Sequence, residues 1–115
     1  MAAKKPEIKK DPMYQLLREG NIEKFNAARA KGMACDLRGC DLRGLDLRGL
    51  EAKGLDFRDC YFRQTDLRGV DFSEAQLEGA SINSAHISGT LFPKELSADE
   101  LTLSLLHGTR MRYGT

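Results

Sequence analysis

The sequence predicts an all-β solenoid with a short helical cap at each end, and three observations carry that reading. A five-residue period runs from Cys35 to Gly89, and a fixed period marks a stacked repeat architecture. Apolar residues fall at the first and third places of each unit, which fits neither the helical nor the strand period. Glycine recurs at the fifth place, at Gly39, Gly44, Gly49, Gly54, Gly69, Gly79 and Gly89. A short extended piece with both apolar side chains inward, then a corner at a residue without a Cβ, satisfies all three. Corners repeated in one sense wind the chain into a coil.

Residues 1–11 carry four lysines and a proline and read as a flexible basic tail. The other reading, an arm that touches an acidic partner or nucleic acid, rests on lysines without interleaved aromatics. Residues 12–34 read as an N-terminal helical cap. Asp11 caps a first helix with Pro12 in its first turn and Met13, Leu16 and Leu17 at helical spacing, up to Gly20. Asn21 can cap a second helix in which Ile22, Phe25 and Ala28 share a face and which ends at Gly32. Both are too short to stand alone and need a surface to pack on.

The repeat occupies residues 35–94. It opens Cys35-Asp-Leu-Arg-Gly39, Cys40-Asp-Leu-Arg-Gly44, Leu45-Asp-Leu-Arg-Gly49, and degrades at Thr90-Leu-Phe-Pro-Lys94. Ala52 is undersized for a third place while Leu50 is large for a first. In one unit the two read as a volume exchange that a core tolerates. Residues 95–115 read as a C-terminal helix followed by a short strand. Ser97 and Glu100 form a capping box, with Leu96 and Leu101 as a hydrophobic staple across it. Leu101, Leu105 and Leu106 are expected inward, and Gly108 ends the helix. From Thr109 to Tyr113 the pattern alternates as a strand would.

Read in register, these units resemble the A(D/N)LXX motif of the pentapeptide-repeat proteins over about half of the chain. The resemblance implies a right-handed quadrilateral β-helix with four pentads to a coil, hence about three coils here. Residue n then stacks on residue n+20 at the ~4.8 Å spacing of paired strands. The fourth places give columns Arg38–Arg58–Glu78, Arg43–Arg63–Asn83 and Arg48–Arg68–Ser88, and the second places give neighbouring acidic columns led by Asp36, Asp41 and Asp46. This layout also requires the N-terminal helices to cover Leu37, Leu42 and Leu47 and the unpaired edge of the first coil.

Two readings of the charged columns stand side by side. Asp beside Arg offsets the like-charge repulsion of stacking, or Arg38, Arg43, Arg48, Arg58, Arg63 and Arg68 form a surface that grips an acidic protein surface or phosphates. The function expected is a non-enzymatic protein-binding or scaffold module whose partner is a protein. Some pentapeptide-repeat proteins mimic DNA, bind DNA gyrase and protect it from quinolones, and modulation of gyrase is the alternative. Between Cys35 and Gly89 ten carboxylates face seven cations, a formal charge of −3, which makes a poor duplex. Direct nucleic-acid binding is not expected.

No catalytic residue, cofactor site or metal site is expected. Cys35, Cys40 and Cys60 occupy first places and read as small buried hydrophobes, while His86 and His107 have no nucleophile beside them. Cysteines in core positions, with neither an apolar leader nor a membrane-length run, point to a reducing cytoplasm. A homodimer is expected through the C-terminal end, with Leu103, Leu106, Met111 and Tyr113 as contacts. The competing arrangement folds the tail back onto its own last coil.

Overall fold

Every corner is built the same way. A first-place amide donates to the third-place carbonyl of the preceding pentad, as Cys60 does to Phe57 at 3.2 Å and Ala80 to Leu77 at 3.0 Å. The fifth-place residue inside that turn has positive φ from Gly39 to Gly89 at every pentad except the one ending in Glu74. Three of these are not glycine: Asp59, Gln64 and Ser84, at φ 63°, 59° and 57°. Glycine is the cheap choice there, but Gly79 has a second reason, since a Cβ would lie 2.1 Å from Asp59 Oδ1 of the coil before it.

The computed structural model describes residues 6–114. Coils stack with a twenty-residue offset. Parallel bridges join Asp41 to Tyr61 and Tyr61 to Ser81, Asp46 to Asp66 and Asp66 to His86, Asp56 to Gln76, and Asp71 to Leu91. Among the described residues these pairings are isolated bridges and not continuous strands, because each side turns its next corner before a strand can extend. Third-place side chains fill the centre: Leu37, Leu42, Leu47 and Ala52 are buried, and so are Phe57, Phe62, Leu67 and Phe72 above them. The rings of Phe57, Phe62 and Phe72 meet edge to face at 5.6–6.1 Å, a geometry that adds to area burial. Leu50 is buried alongside Ala52, as a volume exchange requires.

Among the described residues three helices flank the coils: α1 (Pro12–Arg18), α2 (Ile22–Ala30) and α3 (Ala98–His107). Asp11 caps α1, accepting from the amides of Met13 at 2.8 Å and Tyr14 at 3.2 Å. Asn21 precedes α2 without a side-chain cap bond. Asn26, inside α2, clamps the coil edge instead, donating to Gly49 O at 2.9 Å and accepting from Glu51 N at 3.0 Å.

The expected tail needs correcting. Residues 1–5 lie outside the described residues, but residues 6–11 lie against the first coil. Glu7 pairs in parallel with Cys40, donating to Gly39 O and accepting from Asp41 N. Lys9 forms an ion pair with Asp36 at 3.0 Å. The coil has an open edge, and main-chain groups suffice to cover it whatever the side chains.

The C-terminal end is closed in a related way, and it departs from the sequence reading twice. Ser97 caps α3 as expected, accepting from Glu100 N. Leu101 and Leu105 pack partly buried against the core as expected, but the fully buried positions of the helix are Glu100 and Ser104, at 2% and 0% exposure, and Leu106 points out at 65%. Ser104 Oγ accepts from Ile82 N at 3.0 Å, and Leu105 O accepts from Ser84 N at 3.0 Å. After Gly108 no strand forms among the described residues: the chain lies across the last coil, with Met111 N donating to Ala80 O and Gly79 N to Met111 O. Tyr113 Oη accepts from Leu77 N at 2.9 Å. Helix and tail thus supply acceptors to a row of edge amides, which explains the buried Ser104, while the buried Glu100 is held by Arg112 Nε at 2.6 Å.

Candidate partner-binding surface

Second and fourth places both point outward, two residues apart, so an Asp and an Arg in one pentad can meet. Arg43 N and Nε donate to Asp41 Oδ1 at 3.0 and 2.9 Å, and Nη2 donates to Oδ2 at 2.8 Å. The same fork joins Arg48 to Asp46, Arg58 to Asp56 and Arg68 to Asp66. Arg48 also lies 3.4 Å from Asp66 in the next coil. Bidentate guanidinium–carboxylate pairs are planar and directional. Side-chain hydrogen bonds from the arginines hold the carboxyls of Asp41, Asp46, Asp56 and Asp66 below the usual carboxylate range.

Two of the six sequence-predicted arginines escape this scheme. Asp36 is drawn away by Lys9, and Arg38 lies 3.7 Å from Asp59 instead. Arg63 follows Tyr61 where the other five arginine-bearing pentads have Asp, and its side chain makes no ion pair with a described residue. Tyr61 itself is engaged by Arg110, whose guanidinium lies over its ring at 5.0 Å and donates to its hydroxyl. Arg110 also donates to Gly79 O and pairs with Asp59 at 3.5 Å. Sequence reading missed this link, because a lone Arg in an irregular tail has no periodic partner.

The remaining candidates separate by burial. Leu103 and Leu106 are exposed at 41% and 65%, whereas Met111 is fully buried within its own chain. Tyr113 is half-buried and committed to Leu77. Met111 is thus removed from the expected contacts, since it already fills the end of the last coil. Among the described residues no group of three or more His, Cys, Asp and Glu is placed to hold a metal. Burial pushes the Cys40 thiol up to about 12 and the Cys60 thiol further, which favours the protonated thiol over the thiolate. Cys60 instead donates to Leu37 O at 2.7 Å. No helix among the described residues is long and apolar enough to cross a membrane.

These residues form a ruled surface of oriented charges. Comparison with known proteins gives one result: the family model for pentapeptide repeats matches eight copies, over residues 34–64 and 56–92. No curated protein and no solved structure matches. With more than half of its length under that model, the chain belongs to the pentapeptide-repeat family.

Proposed function

We propose that this chain is a non-enzymatic protein-binding module, built as a right-handed quadrilateral β-helix and working in a reducing compartment. The observation that supports it most is the fixed row of Asp–Arg forks on the flanks, beside a buried apolar core and ends closed by their own caps. Arginine held in a planar fork loses less freedom on binding than a free side chain, a property of good recognition surfaces. Acidic flanks suited to duplex mimicry of the gyrase-binding kind are not favoured, because four carboxylates are bound to arginine. The test is a pull-down comparing the natural chain with the triple variant Arg38→Ala/Arg43→Ala/Arg48→Ala. Partners recovered by the first and lost by the second are expected; equal recovery overturns the reading. A supercoiling assay with purified gyrase checks the alternative.

The same proposal includes a homodimer, now reduced to Leu103 and Leu106 as its apolar contacts. Deleting the tail would expose Met111's site and confuse the result, so Leu103→Glu/Leu106→Glu is the cleaner variant. Light scattering across a concentration series should give twice the chain mass for the natural protein and the chain mass for the variant. A monomer throughout overturns the dimer.

A further inference from the structure

One arginine column is unlike the others. Beside Arg38 and Arg58 stand Asp36, Asp56 and Asp59, and beside Arg48 and Arg68 stand Asp46 and Asp66. Beside Arg43 and Arg63 stands Asp41 alone, 8% exposed, with both oxygens held by Arg43. Tyr61 occupies the place of the missing carboxylate, and its hydroxyl faces Arg110. Two guanidinium groups one coil apart, ~4.8 Å in backbone spacing, therefore share one committed counter-charge. Their mutual repulsion is relieved by an anion placed between them.

The surroundings are donor-rich. A cleft of about 360 Å³ has Arg43, Tyr61, Arg63, Ser81, Asn83 and His107 in its lining, with Pro6 and Gly108 at its edge, and among the described residues no carboxylate lies on its wall. His107 comes from the last turn of α3, whose carbonyls would ordinarily disfavour an anion. Those nearest are occupied: Ser104 O accepts from Gly108 N, and Leu105 O from Ser84 N and Asn83 Nδ2. Arg63 is exposed and supplies a planar fork of donors that no described acid has taken.

We infer that this cleft receives an oxyanion, a carboxylate or phosphoryl group, carried on a peptide segment of the partner. The inference rests on the protein-binding reading above and gives that partner a chemistry. Arg63 is the primary contact, Arg43 offers its free outer edge, and Asn83 and His107 close the lower rim.

The test titrates the isotope-labelled full chain at low ionic strength with three probes: hexaglutamate, a hexapeptide bearing one phosphoserine, and inorganic phosphate. Saturable amide shifts at Arg63, Asn83 and His107 with at least one peptide are expected. Arg63→Gln should weaken that binding about tenfold or more, while Lys24→Gln, an equal charge loss on α2, should change it less than about twofold. The preferred peptide distinguishes carboxylate from phosphoryl. No saturable shift with either peptide, binding of inorganic phosphate alone, or equal losses in the two variants would overturn the assignment. The dispersed spectrum of Arg63→Gln checks its fold. Retention of a captured partner by Arg63→Gln, with loss in the triple variant, overturns this site and leaves the protein-binding reading standing. Peptide binding with no captured partner does the reverse.

Discussion

Replacing Ser104 by alanine removes one acceptor from the middle of the C-terminal cap. The Ser104 oxygen takes the Ile82 amide at 3.0 Å, and both residues are fully buried. Water cannot reach that amide without opening the cap, so the variant leaves a buried donor unsatisfied at ~1–3 kcal/mol. At roughly 3–6 °C per kcal/mol for a domain of this size, the midpoint should fall by roughly 3–18 °C. Thr102→Ala, an exposed change one turn face away, should stay within ~0.5 kcal/mol. Ser104→Val keeps side-chain bulk without the acceptor and should lose at least as much as alanine.

Thermal melts give the global number, but a solenoid opens from its ends, since each coil touches only its neighbours. Amide exchange is the sharper assay. Ile82 and Ser84 should lose protection by a factor of ~5–30 for the first one or two kcal/mol, while Phe62, in the middle coil, changes less. A Ser104→Ala protein as stable as the natural chain, with Ile82 exchange unaltered, would refute the claim that the inward polar face is an edge cap.

Three further outcomes follow from the geometry. Phe62→Ala takes one ring from the edge-to-face cluster and should cost ~3–5 kcal/mol in urea unfolding; a loss under about 1.5 kcal/mol would mean the coil collapses onto the gap. Gln64→Gly relieves a left-handed backbone at a non-glycine corner and should stabilise by ~0.5–1 kcal/mol, so destabilisation would show that the corner is not strained. Arginine forks depress the folded-state carboxyls of Asp41, Asp46, Asp56 and Asp66 below the unfolded value of ~3.9. Their stabilisation is therefore complete at neutral pH and lost as pH falls below about 4; a midpoint unchanged from pH 7 to pH 2.5 would contradict the forks.

What could be read from the sequence was whatever a repeat place assigns. Each place has one job, so Leu37, Phe57 and Leu77 declare the core and Gly39 or Gly69 the corner without knowledge of the fold. The forks were half legible: acidic and basic columns were evident, but the Asp-x-Arg spacing within one pentad also allowed the bidentate pairing that Asp46 and Arg48 make. Pairing of Glu7 with Cys40 was not legible, because it uses main-chain groups that every residue carries. Nor was the rotation of α3. Leu101 and Leu105 do pack on the core, but the surface beneath the helix is also an edge of amides, and Ser104 answers that need where Leu106 was expected. The alternation from Thr109 to Tyr113 misled for the same reason, since Met111 and Tyr113 close the coil end and do not extend a strand.

Regularity explains itself in such a chain, and the exceptions carry the information about binding. An Asp, an inward Leu and an Arg in every pentad would leave the flanks neutral, with each guanidinium held by its own acid and nothing for a partner to prefer. Tyr61 breaks that pattern at one place with three effects. It releases Arg63 from a fork, gives Arg110 a ring and a hydroxyl to hold, and so ties the C-terminal tail to the middle coil. Restoring the pattern with Tyr61→Asp should supply Arg63 with the acid that Arg43 already has and cancel the excess positive charge of that side. It should also loosen the tail by removing the ring beneath Arg110. Loss of peptide binding with the tail still protected from exchange would separate the two roles, and would place recognition in the charge released at Arg63.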